Sequence, residues 1–406
     1  YLRSPATIRK RCRMVYEAAR SDRLEHFRLV PERLPETVEA VVSEIRRNYP
    51  ALDIPHHSRW RHFVVDGVDH ATPVLRPQAE TDARERLRMQ FELAVTSVLL
   101  DAGAGADWSF QNPLDQRSHG RSEGLALASF YLFADGAFSS NPDNSFQADA
   151  DRLRNFRTEQ LAEGFQVTPE NPLVGLEERA ELLRKLGEAG AAQPERFGSA
   201  PARIGNLADW LWTRAELDVA GNPVLPAEVI LRALLDSLSG IWPSRLEIGG
   251  QPLGDVWRHS AVNTGGLTDG LVPFHKLSQW LAYSLVEPLE ESGLGVVELD
   301  GLTGLPEYRN GGLFVDLGVL EPKHPEVLET LHSVDSEVIV EWRALTVCLL
   351  DELAQGVRAE LRYTPESLPL SRILQGGTWS AGRAIAQAKR PGGPPPLQIE
   401  SDGTVF

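Results

Sequence analysis

Leu271-Val272-Pro273-Phe274-His275-Lys276-Leu277-Ser278-Gln279-Trp280-Leu281-Ala282-Tyr283-Ser284-Leu285-Val286-Glu287-Pro288-Leu289-Glu290 decides how this chain is read. Phe274, Leu277, Leu281 and Leu285 cluster on one side of a helix. Lys276, Gln279, Tyr283 and Glu287 fall on one narrow stripe opposite them, at about 100° per residue. The stripe reads either as a solvated face or, with Trp280 beside it, as the polar lining of a cavity on a helix wedged between other elements. The same period runs through Pro5–Arg23, Thr37–Asn48, Ala79–Asp101, Ser122–Ala134, Asp149–Glu163, Gly175–Ala189, Leu207–Asp218, Pro226–Ser239 and Val338–Arg362. Ser4-Pro5 adds a start signal, a capping residue followed by Pro at the first helical position. Strand-like pieces are few: His62–Asp66, Arg245–Ile248, Gly295–Leu299 and Gly312–Val315. The pattern predicts a mainly α fold with a small β element, not a βαβ repeat. It predicts a single large helical domain over residues 1–365 and an extended C-terminal tail, 366–406, packed on it.

With 406 residues the chain can bury a substantial core. Hydrophobic content of 42% and charged content of 24% are ordinary for a globular protein. A net charge of -16 argues against nucleic acid or an anionic membrane as the main partner, though a local Arg/Lys cluster can still hold a small anion. Cys12 and Cys348 lack metal-ligand spacing, and Cys348 in Leu345-Thr346-Val347-Cys348-Leu349-Leu350 reads as a buried thiol. No apolar run reaches the ~20 residues of a membrane span, and no signal peptide is visible. The start at Tyr1 without Met carries the expectation of a few further N-terminal residues. Cytoplasmic location, no cofactor and no metal are the corresponding expectations.

Chemistry concentrates in Leu302-Thr303-Gly304-Leu305-Pro306-Glu307-Tyr308-Arg309-Asn310-Gly311-Gly312-Leu313-Phe314-Val315-Asp316. Glu307 offers a carboxylate for general-base or charge-stabilising work. Arg309 can pair with it or clamp an anion, and Gly311-Gly312 permits close approach of backbone to ligand. The plain alternative is an Arg–carboxylate pair that fixes a turn. Among the cations and aromatics of His56-His57-Ser58-Arg59-Trp60-Arg61-His62-Phe63, Arg59, Trp60 and Arg61 suit anion binding or stacking. His57 and His62 as metal ligands match no standard zinc spacing. Arg121-Ser122-Glu123-Gly124 opens a helix whose N-terminus favours an anion, or Ser122 is only a cap. No GxSxG, Walker loop, GxGxxG or HExxH occurs.

Several segments together resemble a known family: His57–Phe63, Gly120–Ala126, Leu271–Leu281, Leu302–Leu320, Glu341-Trp342-Arg343-Ala344-Leu345 and Ser401-Asp402-Gly403-Thr404-Val405-Phe406. They look like the fourth protein family of the URC (uracil catabolism) pathway. The resemblance implies a step in a pathway that opens the pyrimidine ring at the nucleotide level and releases urea, acting on a ribosylurea-type intermediate. A second similarity, Phe-x-Lys-x-x-Gln, Leu-Thr-x-x-x-acid-Tyr-Arg and Glu-x-Arg-Ala, is to the queuosine-nucleotide salvage glycosidases. It implies a helical DNA-glycosylase-like fold and hydrolysis of an N-glycosidic bond. Lys276, Gln279, Glu307, Tyr308, Arg309, Glu341 and Arg343 fall on its positions, with Glu307 where that family has Asp.

The expectation is therefore an N-glycosidase with Glu307, Lys276 and Asp316 as catalytic groups. Arg309, Tyr308, Gln279, Tyr283, Trp280, His275, Arg59, Trp60, Arg121, Glu123 and Arg343 are the expected substrate-binding residues. The alternatives are a metal-dependent amidohydrolase cutting a ureido or opened-ring C–N bond, and a non-catalytic protein that binds the intermediate.

Overall fold

A computed structural model describes residues 1–80, 82–105, 107–242 and 245–400. The fold is mainly α, as the helical periodicity predicts. Its sheets are two- or three-stranded. The chain-end segment Ser401–Phe406 lies outside the described residues. Among those described, no helix is long and apolar enough to cross a membrane.

The chain divides into two compact units. The first comprises Tyr1–His57, Ser244–Gln279 and Glu298–Phe406; the second comprises Ser58–Pro243 and Trp280–Val297. In the first, helix Pro5–Arg20 packs against helix Glu337–Leu361. Arg9 Nε donates to Asp351 Oδ2 at 2.9 Å, and the Tyr16 hydroxyl donates to Glu352 Oε2 at 2.6 Å. Cys12 and Cys348 are free and buried, as read from the apolar run around Cys348, and burial pushes the Cys348 thiol up to about 12. In the second unit, helices Ala83–Leu99 and Arg121–Ala134 supply much of the core. Asp82 caps the former, accepting from the backbone N–H groups of Arg84 and Glu85.

The structure corrects four expectations. Gly312–Val315 is not a strand; it lies inside helix Tyr308–Asp316. His62–Asp66 yields only the two-residue strand Val64–Val65, after a 3-10 turn over Arg59–Phe63. Asp149–Glu163 splits into Ala150–Arg154 and Thr158–Gly164. The tail is not extended. Leu370–Ile373, Leu374–Thr378 and Trp379–Lys389 are helical, and only Gln398–Glu400 is a strand, paired parallel with Leu331–Ser333. Small residues make this possible. Gly376 and Gly377 lie against Ile54, Val41 and Ile45, where a Cβ at Gly377 would sit 2.5 Å from Val41 Cγ1.

Gly382 brings helix Trp379–Lys389 onto helix Tyr308–Asp316, where a Cβ would lie 2.2 Å from the Arg309 carbonyl oxygen. Gly382→Ala is expected to destabilise by about 1–3 kcal/mol, the usual cost of overpacking. The readout is a lower urea midpoint at unchanged slope. Gly301→Ala, at a glycine with nothing within 4 Å of its would-be Cβ, is the control and should leave the midpoint in place.

Candidate functional site

Glu307 is the N-cap of helix Tyr308–Asp316. Its backbone is extended (φ -126°, ψ 175°), and its carboxylate accepts from the backbone N–H of Arg309 at 2.8 Å and of Asn310 at 2.7 Å. Glu is not a favoured capping type, but its extra methylene still lets the carboxylate fold back onto the first turn. Burial pushes its pKa upward, opposed by the two backbone N–H groups and by the charges of Lys276 and Arg309. Further into the same helix, Asn310 donates to the Leu305 carbonyl at 3.0 Å and accepts from the Thr378 hydroxyl at 2.7 Å. Arg309 Nη1 donates to the Gly393 carbonyl at 2.8 Å. The glycines expected to admit a ligand pack against side chains instead. A Cβ on Gly311 would be 2.7 Å from the Trp342 ring, and one on Gly312 would be 3.0 Å from Pro396.

Lys276 opens helix Lys276–Glu291, later than the apolar period alone suggests. Leu271–Pro273 is instead a strand, antiparallel to Val256–Arg258. Asp255, just before that partner strand, stops the helix from starting earlier. Its Oδ2 accepts from the Lys276 backbone N–H at 2.9 Å, and its carbonyl accepts from Phe274 N–H at 2.9 Å. Both Nη atoms of buried Arg343 donate to the same carboxylate, at 2.7 and 2.8 Å. The Arg343 charge holds the Asp255 carboxyl well below the usual range. Arg343 is thereby a partner of Asp255 rather than the substrate ligand expected of it. His275, between strand and helix, takes φ +49°, a sterically disfavoured value for a residue with a Cβ. Its Nε2 bonds to the Leu2 carbonyl at 3.1 Å, so its ring too is engaged by backbone.

Gln279, one turn on, is fully buried and clamps the loop that leads to Glu307. Its Oε1 accepts from Thr303 N–H at 2.9 Å, and its Nε2 donates to the Thr303 hydroxyl. Lys276 is also an electrostatic neighbour of His57, which the sequence offered only as a metal ligand. Gln375 Nε2 donates to the Tyr49 hydroxyl at 3.3 Å, which turns Gln375 Oε1 toward His57 Nδ1, 3.0 Å away. His57 is buried. Burial holds its pKa down to about 4, so the ring is neutral at pH 7. Trp379 stands beside it, ring centroids 6.4 Å apart. The sequence offers Asp255 only as part of the polar cluster Asp255-Val256-Trp257-Arg258-His259, and Gln375 and Trp379 were not singled out as site residues. The capping role of Asp255 is the one with a local signal, an acid just ahead of a strand–turn–helix.

Asp316 does not join this group. It ends the helix that Glu307 begins, about 13 Å along the axis at 1.5 Å per residue. Its carboxylate holds Arg390 through two bonds of 2.6 Å. Of the remaining expected residues, Tyr308 opens the helix that Glu307 caps, in the first unit, and the others belong to the second unit. Arg59 is fully buried and pairs with Asp101 at 3.0 Å, while its Nε donates to the Ser97 hydroxyl at 2.7 Å. Trp60 Nε1 donates to the Ser284 carbonyl at 2.8 Å, and Arg61 pairs with Glu287 at 2.8 Å. Trp280 packs edge-on to His62 at 5.7 Å, and Tyr283 is fully buried. Thus the stripe residue Glu287 is an ion-pair partner inside the second unit, not a solvated group. Arg121 is exposed at the first position of its helix with φ +54°, and Glu123 lies half-buried in the same first turn. Among the described residues, neither His57 nor His62 falls in a group of three metal-ligating side chains.

A buried neutral imidazole gives a pH dependence of known sign. His57 titrates near 4 when folded, below the ordinary ~6.5, so the unfolded chain binds the extra proton first. Its contribution to stability is complete above about pH 6.5 and is lost as pH falls toward 4. His57→Gln should lose about 2 kcal/mol less stability than the parent between pH 7 and pH 4.5, measured by urea denaturation at both.

Two curated proteins are similar along their whole length. Protein urg3 of Schizosaccharomyces pombe is 40% identical over 407 residues, covering 98% of this chain and 96% of that protein. Uracil catabolism protein 4 of Lachancea kluyveri is 36% identical over 436 residues, covering 100% of this chain and 98% of its own. One family model matches residues 1–406, and with it the chain belongs to the family described as a protein of unknown function, DUF1688.

Proposed function

We propose that this chain is a hydrolase of uracil catabolism that cleaves the N-glycosidic C–N bond of a ribosylurea-type intermediate, with or without a 5′-phosphate. The role in uracil catabolism rests on the similarity to uracil catabolism protein 4 of Lachancea kluyveri. The reaction rests on one observation above all. A carboxylate raised in pKa by burial, Glu307, has the Lys276 and Arg309 cations for electrostatic neighbours, and Lys276 is in turn a neighbour of the neutral His57 ring.

Departure of urea from C1′ leaves an oxocarbenium-like cation, which an adjacent carboxylate stabilises. Glu307 takes a proton from water as the hydroxyl oxygen bonds to C1′. The C1′–N bond breaks, and the departing nitrogen receives one proton in return, so that water is consumed and ribose and urea are formed. A carboxyl with a raised pKa suits this exchange, because it gives up a proton almost as readily as it takes one. Lys276 donates hydrogen bonds to the leaving urea or to a sugar hydroxyl. Tyr308 and Arg309 line the sugar side. Gln279, Asp255 and Arg343 act as positioning residues, and Asp316 drops out of the mechanism.

Incubation with ribosylurea and its 5′-phosphate should release urea and free sugar in equal amounts. Glu307→Gln should lower kcat/KM by about 10²–10⁴-fold, the usual contribution of a general base. Because Glu307 also caps a helix, the same variant is expected to lose about 1 kcal/mol of stability, checked by thermal melting. Lys276→Met should raise KM or lower kcat with the fold kept. Wild-type urea release by folded Glu307→Gln would sink the assignment. Ammonia in place of urea would favour the amidohydrolase, and tight binding without product would favour the intermediate-binding protein.

A further inference from the structure

Outside that site, the second unit gathers Asp66, Asp115 and His119, whose ligand atoms all lie within 4.8 Å of one another. The hairpin Val64–Val65/Val68–Asp69 brings Asp66 to its turn, where Asp66 takes φ +50° ahead of Gly67. The hairpin Phe110–Gln111/Ser118–His119 brings the other two, Asp115 in its loop and His119 in its second strand. Two further observations concern the histidines of this region. His119 Nε2 is buried with no hydrogen-bond partner. His70, 5% exposed, likewise has a buried Nδ1 with no partner, and its electrostatic neighbours are Asp115, His119 and Asp69. Buried imidazole nitrogens are ordinarily satisfied, so two orphans beside a pair of carboxylates call for an explanation.

We propose that Asp66, Asp115 and His119 form a binding site for a divalent transition-metal ion of the zinc class. One nitrogen and two carboxylate oxygens are the donor set of such an ion, whereas calcium and magnesium take oxygen alone. Three protein ligands leave a fourth position for water. Tetrahedral ligands at about 2.1 Å from zinc stand about 3.4 Å apart, so the cluster need contract by at most about 1.4 Å. The exposed aspartates can supply that movement by rotating. The ion has a competitor, because Arg117 Nη1 already pairs with Asp66 Oδ2 at 2.9 Å. Metal binding takes that carboxylate from the guanidinium. Bound, the ion ties the two hairpins together just ahead of helix Arg121–Ala134. The site is independent of the proposed hydrolase reading.

The test uses the full chain, stripped with chelator and titrated with zinc against a chromogenic competitor. Thermal melting is followed in parallel, and cobalt(II) serves as a spectroscopic probe. One equivalent of zinc should bind and raise the melting temperature, and cobalt should give the visible bands of a four-coordinate site. Asp115→Asn, an exposed and conservative change, and His119→Ala should each weaken binding by at least tenfold. Arg117→Ala should tighten it, which adventitious surface binding would not do. Absence of saturable binding, or zinc held equally well by Asp115→Asn, overturns the proposal.

Discussion

One carboxylate governs the geometry of the first unit. Asp255 closes the N-terminus of helix Lys276–Glu291, accepts the Trp257 indole N–H at 2.6 Å, and neutralises Arg343, whose side chain is 1% exposed. The guanidinium also lies over the Phe274 ring at 4.1 Å. Breaking a buried pair by removing one partner leaves an uncompensated charge and typically costs 3–5 kcal/mol. The hub is therefore hard to vary in pieces, and it fixes where the helix begins. Lys276 is the first residue of that helix, and its backbone N–H is held by Asp255.

Glu307 repeats the device on a second helix. Both carboxylates sit at helix N-termini, where the exposed N–H groups and the helix dipole favour negative charge. They differ in what surrounds them. Asp255 faces a guanidinium and stays ionised, whereas Glu307 is raised by burial with only partial compensation. Two carboxyls in one unit are thus shifted in opposite directions by their environments. Gln279 joins the two caps through Thr303, so the separation of Lys276 and Glu307 is set by buried amide and hydroxyl bonds.

The helical class was legible because periods of apolar residues survive wherever a helix buries one face. Lys276 and Glu307 were legible because two polar clusters stood close in sequence. What sequence could not show was direction. Arg59, Trp60 and Arg61 look like an anion-binding run, yet each guanidinium or indole finds a partner within its own unit. Asp316 looked near Glu307 in sequence, but a helix intervenes and turns adjacency into distance. The tail misled for another reason. Gly376, Gly377 and Gly382 fall in the stretch expected to be extended, although in a tightly packed helix pair glycine is what close approach demands.

The interleaving of segments bears on how the chain is made. Every piece of the second unit has been synthesised once residue 297 is translated. The first unit must wait, since Arg9 meets Asp351 across a separation of 342 residues. Domains tend to fold as units during synthesis, and contacts of such separation form last. Helix Pro5–Arg20, made long before its partner helix, is accordingly among the last to find it. Through most of translation its apolar face, with Ile8, Cys12 and Val15, has only the nascent chain and the cell's chaperones to shield it.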